Sequence, residues 1–251
     1  MDDRNRPTCG GECEKALDFD FTMAFQPVVN VREQSIYAYE ALVRGLNGES
    51  AYSILSRVTD DTRYAFDQAC RTKAIRLASE LGMDCRLNIN FLPNAVYHPE
   101  ACLRITLASA ETYGFPLDRL TFEFTENEQV MDRAHLKGIV ETYRRFGIKT
   151  ALDDFGAGYA GLSLLADFQP DTLKIDRQLI MGIHGDQVRQ ALVAGVVHFC
   201  TKLKIEVVAE GVEEPEERDC LLDLGVNLFQ GYLFARPKVG PLVRVSEIAF
   251  K

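Results

Sequence analysis

No apolar run in this chain is long enough to cross a bilayer: the longest, around residues 191–197, falls far short of the roughly 20 residues a spanning helix needs. The opening stretch MDDRNRPTCGG lacks the apolar core of a secretory signal. No low-complexity tract, internal repeat or linker divides the sequence. Positive charge is in short supply, since 28 Lys and Arg against 37 Asp and Glu leave a net charge of −9. That balance excludes non-specific attraction to DNA, RNA or an anionic membrane as the basis of function. An anionic substrate would need metal ions or a local basic patch. Histidine is scarce too: His98, His135, His184 and His198 lie away from the expected strand ends and read as surface or packing residues. Disulfide chemistry is not indicated, because the seven cysteines are odd in number and scattered. A reducing, cytoplasmic setting is the expectation. Cys9 and Cys13 alone are close together; they are either exposed thiols on a loose tail or part of a redox or metal-sensing element.

What is present fits one large domain. The 251 residues are 47% hydrophobic and 26% charged, enough to bury a sizeable core. Residues 1–18 read as a flexible tail containing Cys and Gly, and 19–251 as a single domain. Apolar runs rich in β-branched and aromatic residues alternate with segments of helical period, the pattern of βα units around a mostly parallel sheet. The expected strands are 21–29, 36–43, 85–90, 120–125, 149–154, 172–176, 206–210 and 227–230. Helical segments include 62–81, 135–146, 187–203 and 215–224, several closed by Gly82, Gly147 or Gly225. The first two strands are joined by too short a turn, at 30–35, for a parallel crossover, so they should run antiparallel. The prediction is an α/β fold: a modified (β/α)8 TIM-like barrel with an antiparallel first strand.

The chain is organised around residues 150–165, TALDDFGAGYAGLSLL, which read as strand, tight turn and helix. Gly156, Gly158 and Gly161 spell G-x-G-x-x-G, with Asp176 twenty residues after the first glycine. A dinucleotide-binding turn is the obvious alternative. The adjacent acids Asp153 and Asp154 argue against it, because they would repel a pyrophosphate at the helix N-terminus. Two carboxylates at the end of a buried strand are costly without a positive partner, and no Lys or Arg follows in the turn.

Polar residues recur at the strand ends, where such barrels collect their chemistry. Glu40 lies near the end of the second strand, Asn90 ends the third, Glu123 lies near the end of the fourth, and Asp153 and Asp154 end the fifth. Lys174 sits in the sixth, Glu210 ends the seventh and Gln230 the eighth. Packing alone does not explain such a set. Five acids with the neutral oxygen of Asn90 match two hard cations, Mg²⁺ or Mn²⁺, better than zinc or copper. Two such ions about 3.5–4 Å apart can activate a water and clamp the phosphoryl oxygens of a phosphate ester. Lys174 then has three readings: a neutral amine that takes the proton of the attacking water, an ammonium that orients it, or an ion-pair partner holding Asp154.

These residues resemble the EAL-domain family of cyclic di-GMP phosphodiesterases, from about Phe21 to Pro237. The naming triplet is Glu40-Ala41-Leu42, within EALVRG. Further blocks are FQPVV at 25–29, NINFLPNAVY at 88–97, FEFTE at 122–126, LDDFGAGYAGLSLL at 152–165, LKID at 173–176, VAEGVE at 208–213 and FQGYLFARP at 229–237. The resemblance implies metal ligands at Glu40, Asn90, Glu123, Asp153, Asp154 and Glu210. It implies Lys174 as the residue that positions or deprotonates water, with Gln230 near the metal water network. Glu126 falls where the family anchors the loop after Asp154, a loop used for metal binding and dimerisation. Arg44 matches a position contacting a substrate phosphate, and Gln26, Leu42 and Glu213 fall where the family meets the dinucleotide; packing or surface solvation is the alternative for these four. Many members carry Asn-x-Ser after the third strand, whereas this chain has Asn90-Phe91-Leu92.

The activity implied is metal-dependent hydrolysis of cyclic di-GMP to linear pGpG, with a silent cyclic di-GMP receptor as the alternative and a scaffold that binds no nucleotide a weaker third. No ligand position is lost. The family also implies bacterial second-messenger signalling and a homodimer through the helix after Asp154. No GGDEF-like cyclase segment or sensor domain fits the length. The expectation is a stand-alone EAL domain, cut from a longer protein or regulated by a protein partner.

Overall fold

The computed structural model describes residues 17–93, 96, 99–125, 133–158 and 161–250. Cys9, Cys13, Glu126 and most of the expected tail lie outside them. The described residues open with two long strands, β1 (Thr22–Asn30) and β2 (Ser35–Arg44), joined by a turn in which Gln34 takes a positive φ of 52°. As the short connection requires, they pair antiparallel, with Gln26 opposite Glu40.

From β2 onward every neighbouring pair is parallel: β3 (Arg86–Asn90), β4 (Leu120–Thr125), β5 (Lys149–Phe155), β6 (Thr172–Ile175), β7 (Glu206–Ala209) and β8 (Leu228–Phe229). β8 then pairs antiparallel with the end of β1, at Val29 and Asn30, and closes the barrel. A ninth strand, β9 (Lys238–Val239), has no counterpart in the sequence reading and pairs with β1 at Ala24 and Phe25. It supplies partners to β1 where the two-residue β8 does not reach.

Among the described residues, eight helices connect and cover the strands: α1 (Ala51–Leu55), α2 (Arg63–Glu80), α3 (Pro99–Tyr113), α4 (Arg133–Arg145), α5 (Gly161–Asp167), α6 (Arg177–Ile180), α7 (Gln187–Leu203) and α8 (Pro215–Asp223). Their ends follow local chemistry. Asp186 caps α7 by accepting from Val188 and Arg189 N–H, and α8 starts with a capping box between Glu214 and Glu217 and a proline at its first turn. Helices α2, α4 and α8 stop before Gly82, Gly147 and Gly225, each with positive φ. No helix among the described residues is long and apolar enough to cross a membrane.

The alternation of side chains along each strand sorts the interior into two regions. Phe25, Tyr39, Leu87, Phe122, Leu152, Leu173 and Phe229 belong to the large core formed with the helices. Residues of the opposite parity face the barrel axis. Val28, Ala38, Val208 and Leu228 make a small apolar plug there. Beyond it toward the C-terminal strand ends lie Gln26, Glu40, Asn88, Glu123, Asp153, Lys174 and Gln230, all buried. Glu40 lies in the middle of β2 rather than near its end, because pairing with β1 extends that strand to Arg44. Its neighbour on β3 is Asn88, so it still joins the polar layer.

Gly231, just past β8, packs against the backbone of Val212: a β-carbon there would lie 2.0 Å from its carbonyl oxygen. Gly231→Ala should lower unfolding free energy by about 1–3 kcal/mol, the usual cost of overpacking. Urea unfolding is expected to show a lower midpoint at unchanged slope; an unchanged midpoint would show that the 211–213 loop yields freely.

Candidate active site

Lys174 is the centre of the barrel mouth. It is fully buried, and its Nζ lies 2.7 Å from Glu210 Oε1, 2.9 Å from Glu123 Oε2, 3.2 Å from Glu40 Oε2 and 3.2 Å from Asp153 Oδ1. β2, β4 and β5 supply three of these carboxylates and β6 the amine; Glu210 lies one residue past β7, and Gln230 one past β8, rather than ending those strands. Burial alone would push the ammonium pKa down, but Asp153, Glu123, Glu210 and Glu40 outweigh it and hold the group well above the ordinary lysine value. The carboxylates carry the complementary strain. Burial, then repulsion from Glu40 and Asp153, raises Glu123 well above the usual carboxylate range although Lys174 opposes the shift. Glu210 is raised by burial and by Asp153. Of the three sequence readings of Lys174, pairing specifically with Asp154 is not what the geometry shows; its direct partners are the other four acids.

Two adjacent residues of a regular strand point to opposite faces, so Asp153 and Asp154 could not both reach the mouth from one. β5 solves this with a bulge. Between Leu152 and Phe155 it advances three residues while β6 advances two, from Leu173 to Ile175. Asp154 takes a left-handed conformation, φ 54°, and its N–H donates to Asp153 Oδ1 at 2.9 Å. Aspartate tolerates that region better than most residues, yet the conformation still stores about 1–3 kcal/mol. Burial, Asp153 and Asp176 push the Asp154 carboxyl up to about 6.

Amides complete the layer. Gln230 Nε2 donates to Glu40 Oε2 at 2.7 Å and to Gln26 Oε1 at 3.2 Å, and Gln26 Nε2 donates to the carbonyl of Ala235 at 3.0 Å. Asn90 Nδ2 donates to Glu40 Oε1 at 2.8 Å. Asn88, which the sequence reading passed over, donates from Nδ2 to Glu123 Oε1 at 2.7 Å. The signal for it was there, since Asn88 and Asn90 are two apart on β3 and share a face. Leu42 and Glu213 line the same opening, with Tyr232 beside them. Glu213 pairs with Arg177 at 2.8 Å, another residue the sequence reading left aside. Arg44 instead turns its Nη1 onto the carbonyl of Val43, 2.6 Å away.

The donor set fits divalent metal. Carboxylate oxygens of Glu40, Glu123 and Asp153 lie within 4.8 Å of one another, as do those of Asp153, Asp154 and Glu210, so the acids form two adjoining groups that share Asp153. All candidate donors are hard oxygens, the preference of Mg²⁺ and Mn²⁺. Five carboxylates surround one ammonium, leaving negative charge for further cations to neutralise. Buried Gln230 Oε1 also has no hydrogen-bond partner, which suits a site that takes up hydrated ions.

Fold and site together define a modified (β/α)8 barrel with acidic clusters at its mouth that could hold metal. The chain belongs to the EAL domain family, whose model matches residues 13–237. A crystal structure of a standalone versatile EAL protein from Vibrio cholerae O395, in its c-di-GMP bound form, is 55% identical and superposes with a TM-score of 0.88 over 91% of this chain and 97% of that one. Klebsiella pneumoniae BlrP1, in a manganese and cyclic di-GMP complex at pH 9.0, is 38% identical with a TM-score of 0.83, covering 89% of this chain and 58% of BlrP1. Among curated relatives, the blue light- and temperature-regulated antirepressor BluF of Escherichia coli is 32% identical over 89% of this chain and 56% of BluF. Cyclic di-GMP phosphodiesterase NbdA of Pseudomonas aeruginosa is 29% identical over 94% of this chain and 31% of NbdA. The chain thus spans little more than half of BluF and under a third of NbdA.

The raised carboxyls give a signed pH dependence. A carboxyl whose folded pKa exceeds its unfolded value binds more protons folded than unfolded, so stability falls as pH rises through that interval. In chelator, the thermal midpoint should therefore drop from about pH 4 through about pH 6 as Asp154 ionises, and further as Glu123 and Glu210 do. Mg²⁺ or Mn²⁺ should raise the midpoint more at pH 7 than at pH 5. Differential scanning calorimetry across that range checks both; a metal effect independent of pH would contradict the assignment.

Proposed function

We propose that this chain is a metal-dependent phosphodiesterase that hydrolyses cyclic di-GMP to linear pGpG. The observation that carries the reading is the convergence of Glu40, Asn90, Glu123, Asp153, Asp154 and Glu210 around Lys174 at one barrel mouth, with no ligand position replaced. Support comes from the c-di-GMP bound form of the Vibrio protein and the manganese complex of BlrP1. In this reading those six residues hold two Mg²⁺ or Mn²⁺ ions, with Glu210 both a ligand and part of the catalytic group. Such ions supply Lewis-acid stabilisation of phosphoryl oxygens and make a water nucleophilic near neutral pH.

The chain's own groups do the rest. Water attacks phosphorus, the bond from phosphorus to the 3′ oxygen breaks, and the leaving oxygen takes a proton, giving a 5′-phosphate and a 3′-hydroxyl. Lys174, kept as an ammonium by its acids, donates a hydrogen bond and orients the attacking water. Gln230 holds Glu40 and Gln26 in place. Gln26, Leu42, Arg44 and Glu213 contact the dinucleotide, Arg44 after leaving the Val43 carbonyl for a phosphate. Glu126 anchors the loop after Asp154, and α5, which exposes Leu162, forms a homodimer contact. Regulation through a protein partner belongs to the same reading. A second reading, a cyclic di-GMP receptor that acts on a partner without turnover, is favoured by one observation: the relative BluF is named an antirepressor.

Incubation of the purified chain with cyclic di-GMP in Mg²⁺ or Mn²⁺, then in chelator, with chromatographic detection of pGpG, separates the two. The expected result is pGpG in metal only; binding without product would establish the receptor. Glu40→Ala and Asp153→Ala should each lower turnover by at least roughly 10²-fold while the chain remains folded, because losing an acid relieves repulsion in the metal-free site. Full activity in either variant would remove the two-metal reading. Glu126→Ala should weaken metal use and dimerisation together, read by a Mn²⁺ titration and by sedimentation; an unchanged pair of curves would sink its anchoring role.

A further inference from the structure

A second buried ion pair stands just outside the barrel, between α2 and the strand ends. Asp67 and Arg71 are one helical turn apart on α2, and their side chains are 3% and 0% exposed. Arg71 Nη2 lies 2.6 Å from Asp67 Oδ2, and Arg71 Nη1 donates to the Tyr143 hydroxyl of α4 at 3.3 Å. The guanidinium sits over two rings, 4.9 Å from the centroid of Phe122 and 5.5 Å from that of Phe91. The other Asp67 oxygen, Oδ1, accepts the backbone N–H of Leu92 at 3.1 Å.

The anchored segment is the one that follows Asn90. Phe91 N–H donates to the Glu123 carbonyl at 2.9 Å, and its ring packs edge-on against Phe122, Phe124 and Tyr143 at 5.7 Å each. Asn90 itself is exposed, so packing does not fix its direction. Beside it lies a cavity lined by Met23, Leu42, Leu55, Asn90, Phe91 and Leu92, which leaves that side of the segment unsupported. A buried ion pair is a poor source of stability, since apolar residues of similar volume often serve as well. Its value here is directional.

We infer that the Asp67–Arg71 pair is a positioning device: by fixing Phe91 and Leu92 it aims the Asn90 side chain at Glu40 and at the metal site. The metal part of this rests on the function proposed above. Asp67 supplies the acceptor for the Leu92 amide, and Arg71 holds that carboxylate while clamping the Phe91 ring. Leu92 has no hydroxyl of its own with which to tie the turn.

The test is the double variant Asp67→Leu/Arg71→Met, which removes the pair without leaving an unpaired charge, compared with Asp67→Asn/Arg71→Met, which restores an acceptor for Leu92. Both should keep a thermal midpoint close to that of the unaltered chain. Two readouts are needed. In metal-free protein, the Asn90 side-chain amide should exchange slowly with solvent in the unaltered chain, quickly in the Leu/Met variant and slowly again in the Asn/Met variant. Titrated with Mn²⁺ alone, the Leu/Met variant should bind roughly tenfold or more weakly, the usual effect of removing an outer partner of a ligand, with recovery in the Asn/Met variant.

A folded Leu/Met variant with native Asn90 exchange and native Mn²⁺ affinity would overturn the inference. Should that variant fail to fold, fast exchange of the Leu92 amide in the unaltered chain would overturn it instead, while slow exchange limited by global unfolding would support it. If the unaltered chain binds no Mn²⁺, the metal reading falls, and the Asn90 exchange measurement still decides the positioning role.

Discussion

The ammonium of Lys174 is what allows this barrel mouth to exist in the absence of metal. Glu40, Glu123 and Asp153 come from three strands and Glu210 from the residue just past a fourth, and the closed sheet brings them to the same place. Without a cation at their centre, neighbouring carboxylates would have to take up protons or move apart. Lys174 neutralises one of them and hydrogen-bonds across the group, yet one positive charge faces four acids, and burial together with the neighbouring carboxylates raises Glu123 and Glu210. The residual repulsion is a binding free energy held in reserve for cations. A site optimised for stability alone would have matched its charges.

Two irregularities of the sheet serve that centre. Reversal of β1 puts Gln26 opposite Glu40 rather than in parallel register, and the amide chain from Ala235 through Gln26 and Gln230 to Glu40 depends on it. The bulge in β5 turns two consecutive acids toward one opening, which a regular strand forbids. Both depart from the ideal (β/α)8 plan, and both occur next to groups that would bind metal. Strain at Asp154 belongs to the same trade, because a relaxed β5 would direct its carboxylate into the apolar layer beneath the helices.

The sequence was most legible where one physical rule dominated. Alternation and the short first turn were enough for the eight barrel strands and the reversed β1, and the helix-closing glycines marked the ends of α2, α4 and α8. Polar residues on apolar strands pointed to Glu40, Asn90, Glu123, Asp153, Lys174 and Gln230, since a charged residue in such a run has few reasons to be there. Helices α1, α3 and α6 and strand β9 went unread. The helices α1 and α6 are five and four residues long, and β9 is two residues whose pairing with β1 is a tertiary choice. The partners of Lys174 were beyond reach for a different reason. Spacing along a chain says which residues share a face but not which of five nearby acids an amine will meet, and the structure selects four and leaves Asp154 to the bulge.

Comparing the two buried ionic groups shows why one reads as a binding site and the other as a clamp. Arg71 faces one carboxylate, is covered by aromatic rings and donates to Tyr143, so its charge is balanced by Asp67. Lys174 faces four carboxylates with a fifth nearby, and Asp153, Asp154 and Glu210 open onto solvent beside Leu42 and Glu213. Burial penalises both groups alike, so burial cannot distinguish them. Net charge does. A balanced pair gains nothing from another ion, whereas an acidic group with one amine among five carboxylates is stabilised by each cation that enters. The two meet at Asn90, whose side-chain amide donates to Glu40 of the unbalanced group and whose backbone is continued by Phe91 and Leu92, the latter bonded to Asp67 of the balanced pair.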